Sequence, residues 1–125
     1  MKELKHLMYF ERLLDDAHNE LVRQAEAEGD LAIGYTCFHA PEVLLNLGSC
    51  FSVRLRAPHT TSMELATYYM ANNSCEFSRA ILERALEGNY SFLHAMAGVD
   101  VCEANNRAIE NMEIMHAQGA DKDKF

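Results

Sequence analysis

The sequence lacks both an excess of basic residues and any long unbroken apolar run. Its 125 residues carry a net charge of −8, whereas a surface that binds nucleic acid is basic, so we expect no nucleic-acid partner. The N-terminal segment leads into a stretch with a charged residue in every helical turn, which is typical of neither a secretory signal nor a membrane span. These features predict a cytoplasmic protein.

Several signature motifs are missing as well. The chain has no GxxxxGK[ST] phosphate loop, no GxGxxG dinucleotide fingerprint and no HExxH zinc motif. Its four cysteines, residues 37, 50, 75 and 102, include no closely spaced pair, so a zinc module is a weak alternative. A reducing compartment disfavours disulfides, and the thiols are expected to be free or metal-bound. Of the four, Cys37 and Cys50 flank predicted strands and are expected to be structural.

Apolar residues recur with helical and strand periods, and together they predict an α/β domain. One long helix is expected over residues 1–28, because Leu7, Phe10 and Leu14 continue into Ala17 and Leu21, and Gly29 ends it. Strands are predicted at 31–37 and 51–55, helices at 41–48, 61–70, 75–87 and 102–115, and a weak strand or extended loop between 92 and 101. This alternation favours a small layered domain, residues 1–125, with a short and mostly parallel sheet flanked by helices.

Cys75 and Cys102 each stand immediately before a predicted amphipathic helix. The residues expected to face the core are Phe77, Ile81, Ala85 and Leu86 in the first helix, and Ala104, Ala108, Met112 and Met115 in the second. A helix N-terminus offers unpaired N–H groups and a positive dipole end, which stabilise a thiolate. Two such thiolates suit a metal or an iron–sulfur cluster with a further ligand, although free cysteine is also commonly a small buried hydrophobe.

Four other side chains are candidates for a site, each with a structural alternative. Glu42 stands at a helix start and is either a carboxylate that stabilises the helix dipole or an active-site acid. His39 can act as acid, base or ligand near neutrality, or be a loop histidine bonded to backbone. Arg54 and Arg56 share one strand face, where they either hold an anionic substrate or remain solvated edge charges.

Separate blocks of the sequence follow one another in an order shared with a known family. They are Gly34-Tyr35-Thr36-Cys37 with Pro41-Glu42 and Gly48, Tyr68-Tyr69 before the block 74–79, and the block 87–93 leading to Cys102 and Arg107. Across residues 33–115 the chain resembles the 2-hydroxyacyl-CoA dehydratase component D and benzoyl-CoA reductase subunit family. Val43 departs from the pattern, because many relatives carry a second acid there.

The resemblance implies an α/β subunit that pairs with a related second subunit and holds a [4Fe–4S] cluster through three cysteines. It implies that Cys75 and Cys102 are two of the cluster ligands and that Glu42 is a catalytic residue near the acyl-CoA substrate. His39 and Arg54, proposed above from their residue types, are the candidates for substrate binding. In that family, an ATP-dependent activator protein donates one low-potential electron. A radical dehydration then converts an (R)-2-hydroxyacyl-CoA into the enoyl-CoA, which is lyase chemistry.

The chain departs from this family in its length. Family members are much longer, and their third cluster cysteine lies in a second domain. Residues 121–125 resemble the run before the next strand of a full subunit, so the resemblance implies an N-terminal domain or fragment that is inactive alone. The alternative is a non-catalytic interaction domain that docks on a partner, or on a second copy of itself, through its N-terminal helix.

Overall fold

The structure is a computed structural model, and it describes residues 2–119. Its helices are α1 (Lys2–Asp15), α2 (Glu20–Glu28), α3 (Glu42–Leu45), α4 (Glu76–Leu86) and α5 (Glu103–Ala117), with one 3₁₀ helix at Ala66–Tyr68. Its strands are β1 (Leu31–Tyr35), β2 (Cys50–Arg54) and β3 (Ala95–Ala97). The predicted run at 121–125 lies outside the described residues. None of the helices described in 2–119 has the length and apolar character needed to cross a bilayer.

The three strands form one parallel sheet in which β1 lies between β2 and β3. Gly34 of β1 pairs with Val53 on one side and with Met96 on the other. In a parallel sheet all strands end at the same edge, here named the carboxyl edge, and a crossover helix must run back toward the opposite edge. Both α4, which leads into β3, and α5, which follows it, therefore begin at the carboxyl edge. The predicted α/β fold with a short parallel sheet is confirmed.

The hydrophobic core lies between the sheet and the packed pair α4 and α5. Its buried residues include Val53, Leu55, Ile81, Leu82, Ala85, Tyr90, Ala108, Met112 and Met115. Gly34 sits where the chain needs a glycine, because a Cβ there would lie 2.6 Å from Leu93 Cδ1. The absence of a side chain at Gly34 thus allows Leu93 to pack closely on the middle strand.

The prediction of one continuous N-terminal helix is wrong, because the helix breaks between Asp15 and Glu20. The side chain of Asn19 accepts hydrogen bonds from the backbone N–H groups of Leu21 and Val22, at 3.0 and 3.3 Å, and so caps a new helix. Gly29 ends α2 in the left-handed conformation, as expected. The Asn19 cap therefore starts a second helix, although the apolar residues continue with helical spacing across the break.

The helix predicted at 61–70 is also wrong, since only the 3₁₀ helix Ala66–Tyr68 forms there. Its first N–H groups are capped from a distance by Glu83 of α4, whose carboxylate accepts from Leu65 N at 3.2 Å and Ala66 N at 2.6 Å. Glu83 is 3% exposed. Residues Thr61 to Glu64 fit the capping-box pattern of a helix start, but the N–H groups capped here are those of Leu65 and Ala66, and their acceptor is the buried Glu83 carboxylate.

Smaller differences concern the ends and faces of the elements. β1 stops at Tyr35, α3 is a single turn with Pro41 as its N-cap, and the extended segment 92–101 contains only β3. Phe77, predicted to face the core, is 45% exposed. It lies in the first turn of α4, beyond the buried stripe that starts at Ser78.

Candidate functional site

Cys75 is the N-cap of α4, and its thiol is free and exposed. The backbone N–H of Ser78 is the main cause that lowers the pKa of the Cys75 thiol below its ordinary value. The Ser78 hydroxyl and the Phe77 N–H act in the same direction, while partial burial and the Glu76 carboxylate oppose them. The direction of this shift agrees with the expectation that a helix N-terminus favours a thiolate.

Cys102 occupies the matching position on α5, as the extended N-cap residue before Glu103. Its thiol is exposed and free, as is that of Cys75, and both cysteines lie at the carboxyl edge because α4 and α5 begin there. Cys37 and Cys50 are also free, and both are half-buried. The structure therefore places two exposed thiols at the same edge, each in front of a helix.

These thiols form at most part of a metal site. Within residues 2–119, no group of three or more His, Cys, Asp and Glu side chains is placed to hold a metal ion. The chemistry of the donor set, two accessible cysteines of which one has a lowered pKa, fits one side of a thiolate-held group. A complete ligand set would require a further ligand from beyond the described residues.

Arg79 of α4 fixes the loop that leads to Cys75. Its Nη1 donates to the carbonyl oxygen of Asn72 at 3.2 Å, and its Nη2 donates to Asn72 Oδ1 at 3.1 Å and to Thr67 Oγ1 at 3.0 Å. One guanidinium thereby ties this loop to the 3₁₀ helix. The contact holds the approach to the α4 N-terminus in a defined shape.

Glu42 belongs to a second group, on the side of the sheet covered by α3. Its Oε1 accepts a hydrogen bond from Ser52 Oγ at 3.3 Å. Burial, and then a hydrogen bond to Glu42, raise the pKa of Tyr35, while the positive charges of Arg54 and Arg56 lower it. Glu42 and Arg54 thus both influence the titration of Tyr35, the last residue of β1, which the sequence-based candidates did not include.

His39 lies in the loop after β1. Its ring is exposed and contacts the Phe38 ring at a centroid distance of 4.0 Å. Among the described residues, no hydrogen bond reaches the His39 ring, and none connects Glu42 with Cys75 or Cys102. The sequence-predicted candidates therefore form two separate groups, the two thiols and the side chains of Glu42 and Arg54. No hydrogen bond connects these groups within residues 2–119.

Most of the chain is similar in sequence to known proteins. The family model described as 2-hydroxyglutaryl-CoA dehydratase, D-component, matches residues 37–120, which include all of these candidates. The (R)-phenyllactyl-CoA dehydratase beta subunit of Clostridium sporogenes is 26% identical over 105 residues, covering 84% of this chain and 28% of the relative. The chain thus spans little more than a quarter of that relative's length. No solved structure matches.

Proposed function

The chain belongs to the 2-hydroxyglutaryl-CoA dehydratase D-component family, and on that premise we propose that it acts as the N-terminal domain of an iron–sulfur 2-hydroxyacyl-CoA dehydratase subunit. The enzyme it contributes to would be a lyase that removes water from an (R)-2-hydroxyacyl-CoA. The observation that carries the proposal is the pair of exposed thiols at the carboxyl edge, Cys75 and Cys102, each at the N-terminus of one of two packed helices.

In this proposal Cys75 and Cys102 are two ligands of a [4Fe–4S] cluster, and another part of the enzyme supplies the third. When bound, such a cluster supplies a single low-potential electron for radical dehydration. The residues of this chain hold the thiolates. Ser78 N–H keeps the pKa of Cys75 low, and Arg79 fixes the loop in front of it.

Glu42, Arg54 and His39 are the proposed groups for the acyl-CoA substrate. Glu42 is exposed at the start of α3, where a carboxylate can accept or return a proton during loss of water. Arg54 supplies positive charge on the same side of the sheet, which suits an anionic substrate. The His39 side chain is exposed in the loop after β1, where it can contact a bound substrate.

The proposed partners follow from what the chain lacks by itself. The curated relative is a beta subunit, and we propose that this chain likewise functions next to a related second subunit. An ATP-dependent activator protein would deliver the electron. Because the chain supplies only two cluster ligands, we expect it to be inactive as a dehydratase when isolated.

The test is anaerobic reconstitution of the chain with ferrous iron and sulfide. We expect a labile brown chromophore that is lost in Cys75→Ser and Cys102→Ser and kept in the matched controls Cys37→Ser and Cys50→Ser. Equal loss in all four variants would point to iron bound nonspecifically. A chromophore that survives the Cys75 and Cys102 changes would refute their assignment as ligands.

A second candidate function is that of an interaction domain, and one observation favours it. Leu7, Phe10 and Leu14 of α1 are 65%, 57% and 48% exposed, an apolar surface of the kind that often marks a contact with another protein. If this function is the right one, the mass in solution should exceed that of a monomer. The excess should disappear when these three residues become polar, and should survive Cys75→Ser together with Cys102→Ser.

A further inference from the structure

Three buried polar atoms have no hydrogen-bond partner within residues 2–119: the hydroxyl of Thr36, Nε of Arg79 and Nδ2 of Asn105. Thr36 is 3% exposed and Asn105 is 6% exposed. Such orphaned groups are uncommon, because burying a polar group without a partner costs free energy. Their positions in the fold are therefore informative.

All three atoms belong to residues at the carboxyl edge. Thr36 directly follows the last residue of β1, Arg79 is the fourth residue of α4, and Asn105 is the third residue of α5. The same edge carries Cys75 and Cys102. The unmet hydrogen-bonding capacity of the described residues thus lies at the edge that carries the two thiols, and we name Thr36, Arg79 Nε and Asn105 the buried polar layer.

The directions of these side chains agree with this placement. Gly34 faces the core, since a Cβ there would lie 3.2 Å from Leu55 Cδ1, and alternate residues of an extended chain share a face, so Thr36 lies on the same side as the core between the sheet and the pair α4 and α5. Asn105 is the first member of the buried stripe of α5, which continues with Ala108, Met112 and Met115. Asn105 therefore faces the core from the first turn of α5.

The chemistry of the layer specifies what it can bind. Arg79 Nε and Asn105 Nδ2 are hydrogen-bond donors, the first of them on a charged group, and the Thr36 hydroxyl can also donate. Buried donors without a partner favour an acceptor that carries or develops negative charge. Sulfur atoms of a thiolate-held cluster and the carbonyl oxygen of a thioester are both acceptors of this kind.

We propose that the buried polar layer is a binding site for a negatively polarised hydrogen-bond acceptor at the carboxyl edge, with Asn105 Nδ2 and Thr36 Oγ1 as its main donors. The identity of the acceptor rests on the proposed function. The existence of unsatisfied donors does not, so the two are tested separately.

The first experiment measures the melting temperature of the full chain without ligand. Thr36→Val and Asn105→Leu each remove an unsatisfied polar group at nearly constant volume, and each should raise the melting temperature by about 3 °C. Thr60→Val is the matched control, because Thr60 Oγ1 donates to Ala57 O at 3.0 Å and accepts from Arg84 Nε at 3.2 Å. It should lower the melting temperature. A fall in Thr36→Val and Asn105→Leu like that of the control would overturn the inference.

The second experiment distinguishes the two acceptors. If the acceptor is a cluster sulfur, the chromophore formed with iron and sulfide should decay about tenfold faster in both stabilised variants. If it is a thioester oxygen, the affinity for butyryl-CoA should fall by about tenfold, while that for free coenzyme A, which lacks the carbonyl, stays unchanged. Either result supports the proposal.

The two possible failures can be told apart. A chromophore that needs Cys75 and Cys102 but is indifferent to Thr36→Val and Asn105→Leu, together with unchanged thioester affinity, would overturn the buried polar layer and leave the proposed function standing. A wild-type chain that takes up no iron and binds no thioester would overturn the proposed function, and the ligand site with it, whatever the melting temperatures show.

Discussion

Helices α1 and α4 share an apolar period, yet their apolar side chains have opposite environments. Ile81 and Leu82 of α4 are fully buried against α5 and the sheet, whereas Leu7 and Phe10 of α1 are more than half exposed. The helical period specifies that an apolar stripe exists, but only the rest of the fold specifies whether something covers it. The molecule therefore has a packed half, made of the sheet with α4 and α5, which carries both thiols at its carboxyl edge. Helix α1, by contrast, is left largely uncovered by the rest of the described chain.

The largest expected contrast is in stability. Ile81→Ala should reduce the free energy of unfolding by about 3 kcal/mol, because it opens a cavity in the packed core. Leu7→Ala on α1 should change it by less than about 0.5 kcal/mol, because an exposed side chain leaves no cavity. Urea unfolding of the two variants measures both values, and comparable losses would mean that α1 is packed in solution.

A smaller loss is expected from the carboxylate that joins α4 to the 3₁₀ helix. Glu83→Ala leaves the N–H groups of Leu65 and Ala66 without their acceptor, which should cost about 2 kcal/mol. Glu87→Ala, at the C-cap of the same helix, is the control, since it removes only exposed contacts, the ion pair with Arg84 at 3.2 Å and the hydrogen bond from Asn89 Nδ2 at 3.0 Å, and should cost at most about 0.5 kcal/mol. Equal effects on urea unfolding would argue against the buried cap.

At the boundary of α1 and α2, Asn19→Ala should cost about 1 kcal/mol, because it removes the side-chain cap of α2. The helix content measured by circular dichroism should fall or stay constant. The exposed Asn73, outside any helix, provides a control in Asn73→Ala, which we expect to be neutral. A rise in helix content with Asn19→Ala would indicate instead that Asn19 alone prevents α1 and α2 from joining.

The smallest expected effect is a dependence on alkaline pH. Burial raises the pKa of Tyr90, in the packed half, above its ordinary value of 10.0. Above about pH 10 the unfolded chain therefore loses this proton while the folded chain keeps it, so stability falls as pH rises; below pH 10 this group contributes no slope. Tyr90→Phe should lose the hydrogen bond to Arg56 O at 2.7 Å but show a shallower alkaline decline in urea unfolding. An unchanged slope would contradict the effect of burial.

Much of the fold could be predicted from short-range signals. The run at 31–35, the alternation from Phe51 to Leu55 and the periodic segments after Cys75 and Cys102 each identify an element that forms, and the two cysteines do precede helices. These signals suffice because neighbours in sequence decide them. The parallel sheet follows because its strands alternate with helices.

What could not be predicted depends on contacts between distant residues. Glu83 caps Leu65 and Ala66 from another helix, and no local pattern announces this. Glu42 and the two arginines influence the pKa of Tyr35 only when β1, α3 and β2 are assembled. Asn105 offered a weaker signal that was missed, since it stands three residues before Ala108 and so occupies a core position with a polar side chain.

The pairing of the two thiols can be measured most directly by peptide-resolved alkylation, before and after anaerobic addition of iron and sulfide. We expect the alkylation rates of Cys75 and Cys102 to fall together by at least about tenfold, and those of Cys37 and Cys50 to stay as they were. Undiminished alkylation of Cys75 and Cys102 after iron uptake, or protection of only one of them, would contradict a shared site at the carboxyl edge.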